Sequence, residues 1–226
     1  MTARSGGVGA LELARIIRRL KARVTPAELG GETVEQLVRR WSRVSYPELG
    51  VRVREYDPRW PQRFETESRR IQAALSPEGA VEIQHVGSTS IPPLPGKNII
   101  DLAVAVRALP PTERQMRALV DIGYQHYGAS PIDAAFPWFW RVEPEPGDDP
   151  GSFVVHVCTT DHPWFANLVN FRDFMRVFPE ERQRYADLKR ELAAVPDQSW
   201  FEYSVIKRAL ALQITARANA WAAARG

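Results

Sequence analysis

Residues 81–106 read VEIQHVGSTSIPPLPGKNIIDLAVAV, two β-type apolar runs on either side of a loop that holds three prolines. Proline fixes its own φ and cannot donate to a strand ladder, so the loop is rigid and the runs are two strands rather than one. The first strand ends in Gly87-Ser88 and the second opens with Asp101. A bare turn, a rigid loop and a carboxylate in that order outline a phosphate and metal site.

The chemistry follows from residue type. Gly87 has no Cβ, so backbone N–H groups and the Ser88 hydroxyl can approach an anion closely, and Lys97 adds positive charge at the far end of the loop. Gly87 and Gly96-Lys97 imitate a Walker loop, but the spacing is wrong and Asn98 stands where Ser or Thr would hold magnesium. Asp101 shares its strand face with Ala103 and Ala105. A carboxylate at a strand edge suits Mg²⁺, which takes one or two carboxylates plus substrate phosphates and offsets charge in phosphoryl or nucleotidyl transfer.

The rest of the chain fits an α/β, or more strictly α+β, protein. Residues 10–22 carry Leu13, Ile16, Ile17 and Leu20 at helical spacing, and Val34, Leu37, Val38 and Trp41 mark a second short helix. Together they read as an N-terminal appendage over 1–50, packed on the main domain or a partner, or serving as a basic docking arm. Residues 46–50 read as a linker to a domain over 51–226. Alternation in VRVREY predicts a strand at 51–56, and further strands are expected near 81–87, 101–106, 138–143 and 153–158. Helices are expected from Trp60, from Thr112 to a stop at Gly123, and over most of the chain after His162. The resulting picture is a short mixed sheet flanked by helices, with a helical C-terminal region.

Charge narrows the partners. Residues 1–50 hold nine Lys and Arg against five Asp and Glu, while the whole chain is only +3. So mild a bias argues against nucleic acid. One cysteine, Cys158, excludes an internal disulfide framework and reads as core; with no long apolar run, the expectation is a cytoplasmic protein with no membrane span. The hairpin offers a surface for a protein partner or a second copy of the chain.

The stretch HVGSTSIPPLPGKNIIDLAVAV resembles the signature of the GrpB family, which is assigned to the nucleotidyltransferase superfamily. Segments 56–71, 171–193 and 203–210 are similar to the same family in order, so the resemblance covers about residues 51–221. It implies that Gly87 and Ser88, with Thr89 next to them, hold a nucleoside triphosphate, ATP foremost, and that Asp101 is the first metal carboxylate for Mg²⁺. The second carboxylate of the superfamily pattern falls on Ala103, which offers no oxygen. His156 stands where the superfamily often has a third acid: it is either a metal or phosphate ligand or a core histidine. His85 is a site candidate by its position before Gly87. Lys97, Arg141 and Lys207 would neutralise charge, with Arg172, Lys189 and Arg190 as further members of a basic wall. Trp138 and Trp140 either stack a base or pack. The implied function is a Mg²⁺-dependent nucleotidyl transfer to, or ATP-dependent activation of, a small-molecule acceptor; the alternative is a catalytically degenerate nucleotide- or anion-binding module.

Overall fold

The computed structural model of the chain describes residues 10–41, 51–76, 80, 82–129, 137–143, 151–196 and 199–225. The linker expected at 46–50 lies outside them.

Five strands form one sheet: β1 Glu82–Val86, β2 Ile99–Ala105, β3 Gln125–Ala129, β4 Pro137–Glu143 and β5 Gly151–Cys158. Their order is β1-β2-β5-β4-β3, with β2 parallel to β5 and the other neighbours antiparallel. Register assigns every side chain to a face, because the strand period is two. Val86, Asp101, Val154 and Trp140 form one cross-strand row, and Gln84, Ala103, His156 and Trp138 form the next row on that same face. His85, Leu102, Val155 and Phe139 belong to the opposite face.

Helices cover both faces. α3 (Trp60–Leu75) and α4 (Glu113–Asp121) bury Trp60, Ile71, Leu75 and Leu119 against Leu102, Val104, Phe139 and Val155 on the second face. Thr112 caps α4 in a box with Gln115, each side chain accepting from the other residue's backbone N–H. α5 (Pro163–Val177) reaches the first face, where Phe165 packs on Val86, Ala103, Ala105 and Cys158. α6 (Pro179–Ala193) and α7 (Trp200–Ala223) complete the helical layer, with α7 opened by a Ser199–Glu202 capping box. The N-terminal helices α1 (Ala10–Lys21) and α2 (Val34–Trp41) bury Leu20, Val34 and Leu37 against Leu192 of α6 and Phe201, Val205 and Ile206 of α7.

The strand pattern departs from expectation in two places. Residues 51–56 do not join the sheet; Arg54 makes a single antiparallel bridge with Gly96, two hydrogen bonds of 2.9 Å, and Val51 and Val53 pack against the helical cluster instead. Their alternation serves a helical surface, which period-two patterning alone does not distinguish from a sheet. In exchange, β3 forms at Gln125–Ala129, a short edge strand whose register shifts between His126 and Ala129.

Candidate functional site

The turn after β1 is shaped by one residue. Gly87 has φ 69° and ψ −172°, a region that only glycine occupies without strain. A Cβ there would overlap Oδ2 of Asp101 and lie 2.9 Å from its Cγ. The turn and the carboxylate are therefore in direct contact across the β1–β2 pair, where Val86 lies opposite Asp101. Ser90 Oγ donates to the Gly87 carbonyl at 2.6 Å, and Arg176 donates from Nε and Nη2 to the Ser90 carbonyl at 3.0 and 2.7 Å, which pins the loop to α5. Asn98 faces α3, accepting from Trp60 Nε1 at 3.1 Å and Arg63 Nη1 at 2.6 Å.

This turn closes one end of a cavity of about 460 Å³. Gly87, Ser88, Asp101 and His156 line the sheet side, Trp138, Trp140 and Trp164 form an aromatic wall, and Lys97 enters from the loop. The helices contribute Tyr185 and Lys189 from α6 and Tyr203, Lys207, Ala211 and Thr215 from one stripe of α7, spaced four apart as a helix face requires. His156 Nε2 is 3.3 Å from Asp101 Oδ1, and its ring meets Trp164 edge to face with centroids 5.2 Å apart. Its Nδ1 is buried with no hydrogen-bond partner among the described residues. The cavity thus brings together six of the expected residues: Gly87, Ser88, Lys97, Asp101, His156 and Lys207.

Three others lie elsewhere. His85 points to the α3 face, stacked on Phe64 at 4.7 Å, with Nε2 3.0 Å from Thr89 Oγ1. Burial pushes its pKa down to about 4, so the ring is neutral at pH 7. Thr89 in turn donates to the Ile99 carbonyl at 3.0 Å and serves the loop rather than the cavity. Arg141 is also on the α3 face: Nη2 donates to Glu67 Oε2 at 2.6 Å, beside Tyr124, whose hydroxyl donates to Glu67 Oε1 at 2.8 Å. Of the wider basic set, Arg172 binds Asp173 and Gln84, and Arg190 binds Glu55.

Position 103 sets the metal count. Ala103 is fully buried beside Phe165, Val86 and Cys158, and no group of three or more His, Cys, Asp or Glu among the described residues could hold a metal ion. Glu82 accepts from Gln84 Nε2 at 2.5 Å, and Glu143 accepts from Arg63 on the far face, so neither substitutes for the missing acid. Asp101 could hold one Mg²⁺ that draws its other ligands from a phosphate and water; among the described residues no second acid completes a two-ion site.

Lys189, expected only as one member of a basic wall with Arg172 and Arg190, lines the cavity. It is 1 % exposed, and its ammonium donates to the Pro95 carbonyl. Burial, followed by the charges of Lys207, Lys97 and Arg190, holds its pKa well below the usual lysine range. A buried ammonium without a counter-charge costs several kcal/mol, so the residue is an expensive one to keep for packing alone. The signal was periodicity: Lys189 lies four residues after Tyr185 and three before Leu192, on the inward stripe of α6.

The GrpB protein family matches residues 50–217. The chain belongs to the GrpB family. It is 34% identical over 167 residues to a UPF0157 protein of Halalkalibacterium halodurans, covering 74% of this chain and 81% of that protein. A UPF0157 protein of Streptomyces coelicolor is 32% identical over 172 residues, 76% of this chain and 86% of the relative. Among solved structures, the conserved protein GrpB from Enterococcus faecalis superposes with a TM-score of 0.63 at 27% identity, covering 74% of this chain and 96% of the other. The GrpB match takes in the whole sheet and cavity and leaves α1 and α2 outside. Among the described residues, no helix is long and apolar enough to cross a membrane.

Proposed function

We propose that the cavity binds a nucleoside triphosphate, ATP in the first instance, and that this GrpB protein is a nucleotidyltransferase-like enzyme that modifies or activates a small acceptor such as a carboxylate or amine. The observation that carries the reading is the contact of the Gly87 turn with Asp101 at one end of a cavity whose other walls present three lysines and four tryptophans. The turn amides and the Ser88 hydroxyl hold phosphate oxygens, Lys97 and Lys207 offset their charge, and the Trp138 and Trp140 rings give a base a face to stack on. His156 orients the Asp101 carboxylate through the 3.3 Å contact. In the transfer, an acceptor oxygen or nitrogen bonds to the α-phosphorus, the bond to the β-phosphate bridge breaks, and pyrophosphate leaves. Mg²⁺ held by Asp101 would supply charge neutralisation at the phosphates.

The test is pyrophosphate release. Incubation with ATP, CTP or GTP, Mg²⁺ and a panel of small carboxylates and amines should release pyrophosphate with one pairing, and Asp101→Asn should abolish it. A second reading, a nucleotide- or anion-binding module without turnover, is favoured by one observation: fully buried Ala103 at the second carboxylate position. Tight nucleotide binding with no pyrophosphate from any pairing would select it.

A further inference from the structure

Lys189 and Lys207 make no ion pair among the described residues; Lys189 has the Pro95 carbonyl and the Tyr185 ring, 5.3 Å from Nζ, and Lys207 lies 5.7 Å from the Tyr203 ring. Lys97 faces the same space, 4.9 Å from the Trp200 ring. Gly96 lies between Lys189 and the turn. A methyl group on that residue would lie 3.3 Å from Ser88 Cβ and 3.9 Å from Lys189 Nζ, so the buried amine and the turn serine flank one glycine. Among the described residues, Asp101 is the one carboxylate that lines the cavity, and Lys189 and Lys207 line it as well. Two lysines without an ion pair among the described residues, Lys189 and Lys207, the first almost wholly buried, are complete only when an anion enters.

We propose that Lys189, with Lys97 and Lys207, forms an anion site beside Ser88 that takes a phosphoryl or carboxylate group without any divalent cation. It rests on the nucleotide reading only for the identity of the anion, which is either the phosphate tail of the nucleotide or the acidic group of the acceptor. The depressed pKa of Lys189 agrees with the geometry, since burial and the neighbouring cations disfavour its ammonium until an anion offsets them. The Tyr185 and Tyr203 rings hold the Lys189 and Lys207 ammonium groups in place, and a ring face, unlike a carboxylate, leaves the positive charge for the ligand.

The experiment is a tryptophan-fluorescence titration of the full chain in buffer freed of divalent cations by a chelating resin, with tripolyphosphate in one arm and tricarballylate in the other. Saturable binding is expected, at least tenfold weaker in Lys189→Met and in Lys207→Met, and unchanged or tighter in Asp101→Asn because a repelling carboxylate is gone. Tighter tripolyphosphate assigns the site to the phosphate tail, and tighter tricarballylate assigns it to an acidic acceptor. Lys189→Met replaces a buried amine that has no ion pair, along with its hydrogen bond to the Pro95 carbonyl, by an apolar side chain of similar length; if it does not fold, Lys207→Met decides. Absence of binding in both arms, or binding that neither lysine variant alters, overturns the proposal. ATP binding that needs Mg²⁺ and Asp101 but ignores Lys189 removes this site and leaves the nucleotide reading intact. Tripolyphosphate binding that adenosine and base do nothing to improve keeps the site and removes the nucleotide.

Discussion

Gly87 and Asp101 occupy each other's space: the carboxylate of Asp101 stands where any side chain on residue 87 would begin, with its Cγ 2.9 Å from the ideal Cβ position. The turn can approach an anion, and the carboxylate can sit beside it, for the same steric reason. Gly87→Ala should therefore cost about 1–3 kcal/mol from backbone strain alone and also displace Asp101. Chemical denaturation and nucleotide calorimetry would check it. The affinity loss should exceed that of Ser88→Ala, which removes one hydroxyl and leaves the carboxylate in place.

Arg141 illustrates the opposite case, a basic residue that stabilises without serving the cavity. It pairs with Glu67, whose side chain is only 4% exposed. Arg141→Met leaves Glu67 with Arg70 and Tyr124, so the expected loss is at the lower end of the about 3–5 kcal/mol typical of broken buried pairs. Urea denaturation would measure it, and ligand affinity of the folded variant should stay within about twofold because the guanidinium lies on the far side of the sheet.

His85 makes stability depend on pH. Its folded pKa is depressed from 6.5 to about 4, chiefly by burial, so between those values the unfolded chain binds more protons than the folded one. Stability from this group is fully present above pH 6.5 and is lost as pH falls toward 4, by up to about 3 kcal/mol. Denaturation midpoints at pH 7 and pH 4.5 should differ less in His85→Phe, which keeps the stacking surface on Phe64 but removes the titration.

The N-terminal helices also reach the cavity, indirectly. Tyr203 is buried in the cluster that holds Leu20 and Leu37 and also lines the cavity below Lys207. Leu37→Ala should destabilise by about 2–5 kcal/mol, the usual range for a fully buried leucine. Thermal melting would record the loss.

Much of this was legible in the chain, and the failures share a cause. The strands around the Gly-Ser turn, the Thr112 cap, the Gly123 stop and the apolar stripes of α5 and α6 follow from local patterns. Facing is different. His85 is one residue from Val86, yet register pairs Val86 with Asp101 and His85 with Leu102, on opposite sides of the sheet; sequence names the neighbours but not the register. The same holds for Arg141, paired with Phe153 on the α3 face, while Trp140 beside it faces the cavity. Strand β3 was missed because QHYGA is short, polar and broken by glycine. Lys189 lay on a readable stripe, but a lysine there runs against the rule that charges face water.

The most direct test of the account is calorimetric titration of ATP with and without Mg²⁺ into the native chain and Asp101→Ala. The account predicts binding to the native chain that Mg²⁺ strengthens and that Asp101→Ala deprives of the Mg²⁺ enhancement, with at least tenfold loss in the presence of the ion. No ATP binding under either condition, or an Mg²⁺ enhancement that survives without Asp101, would contradict it.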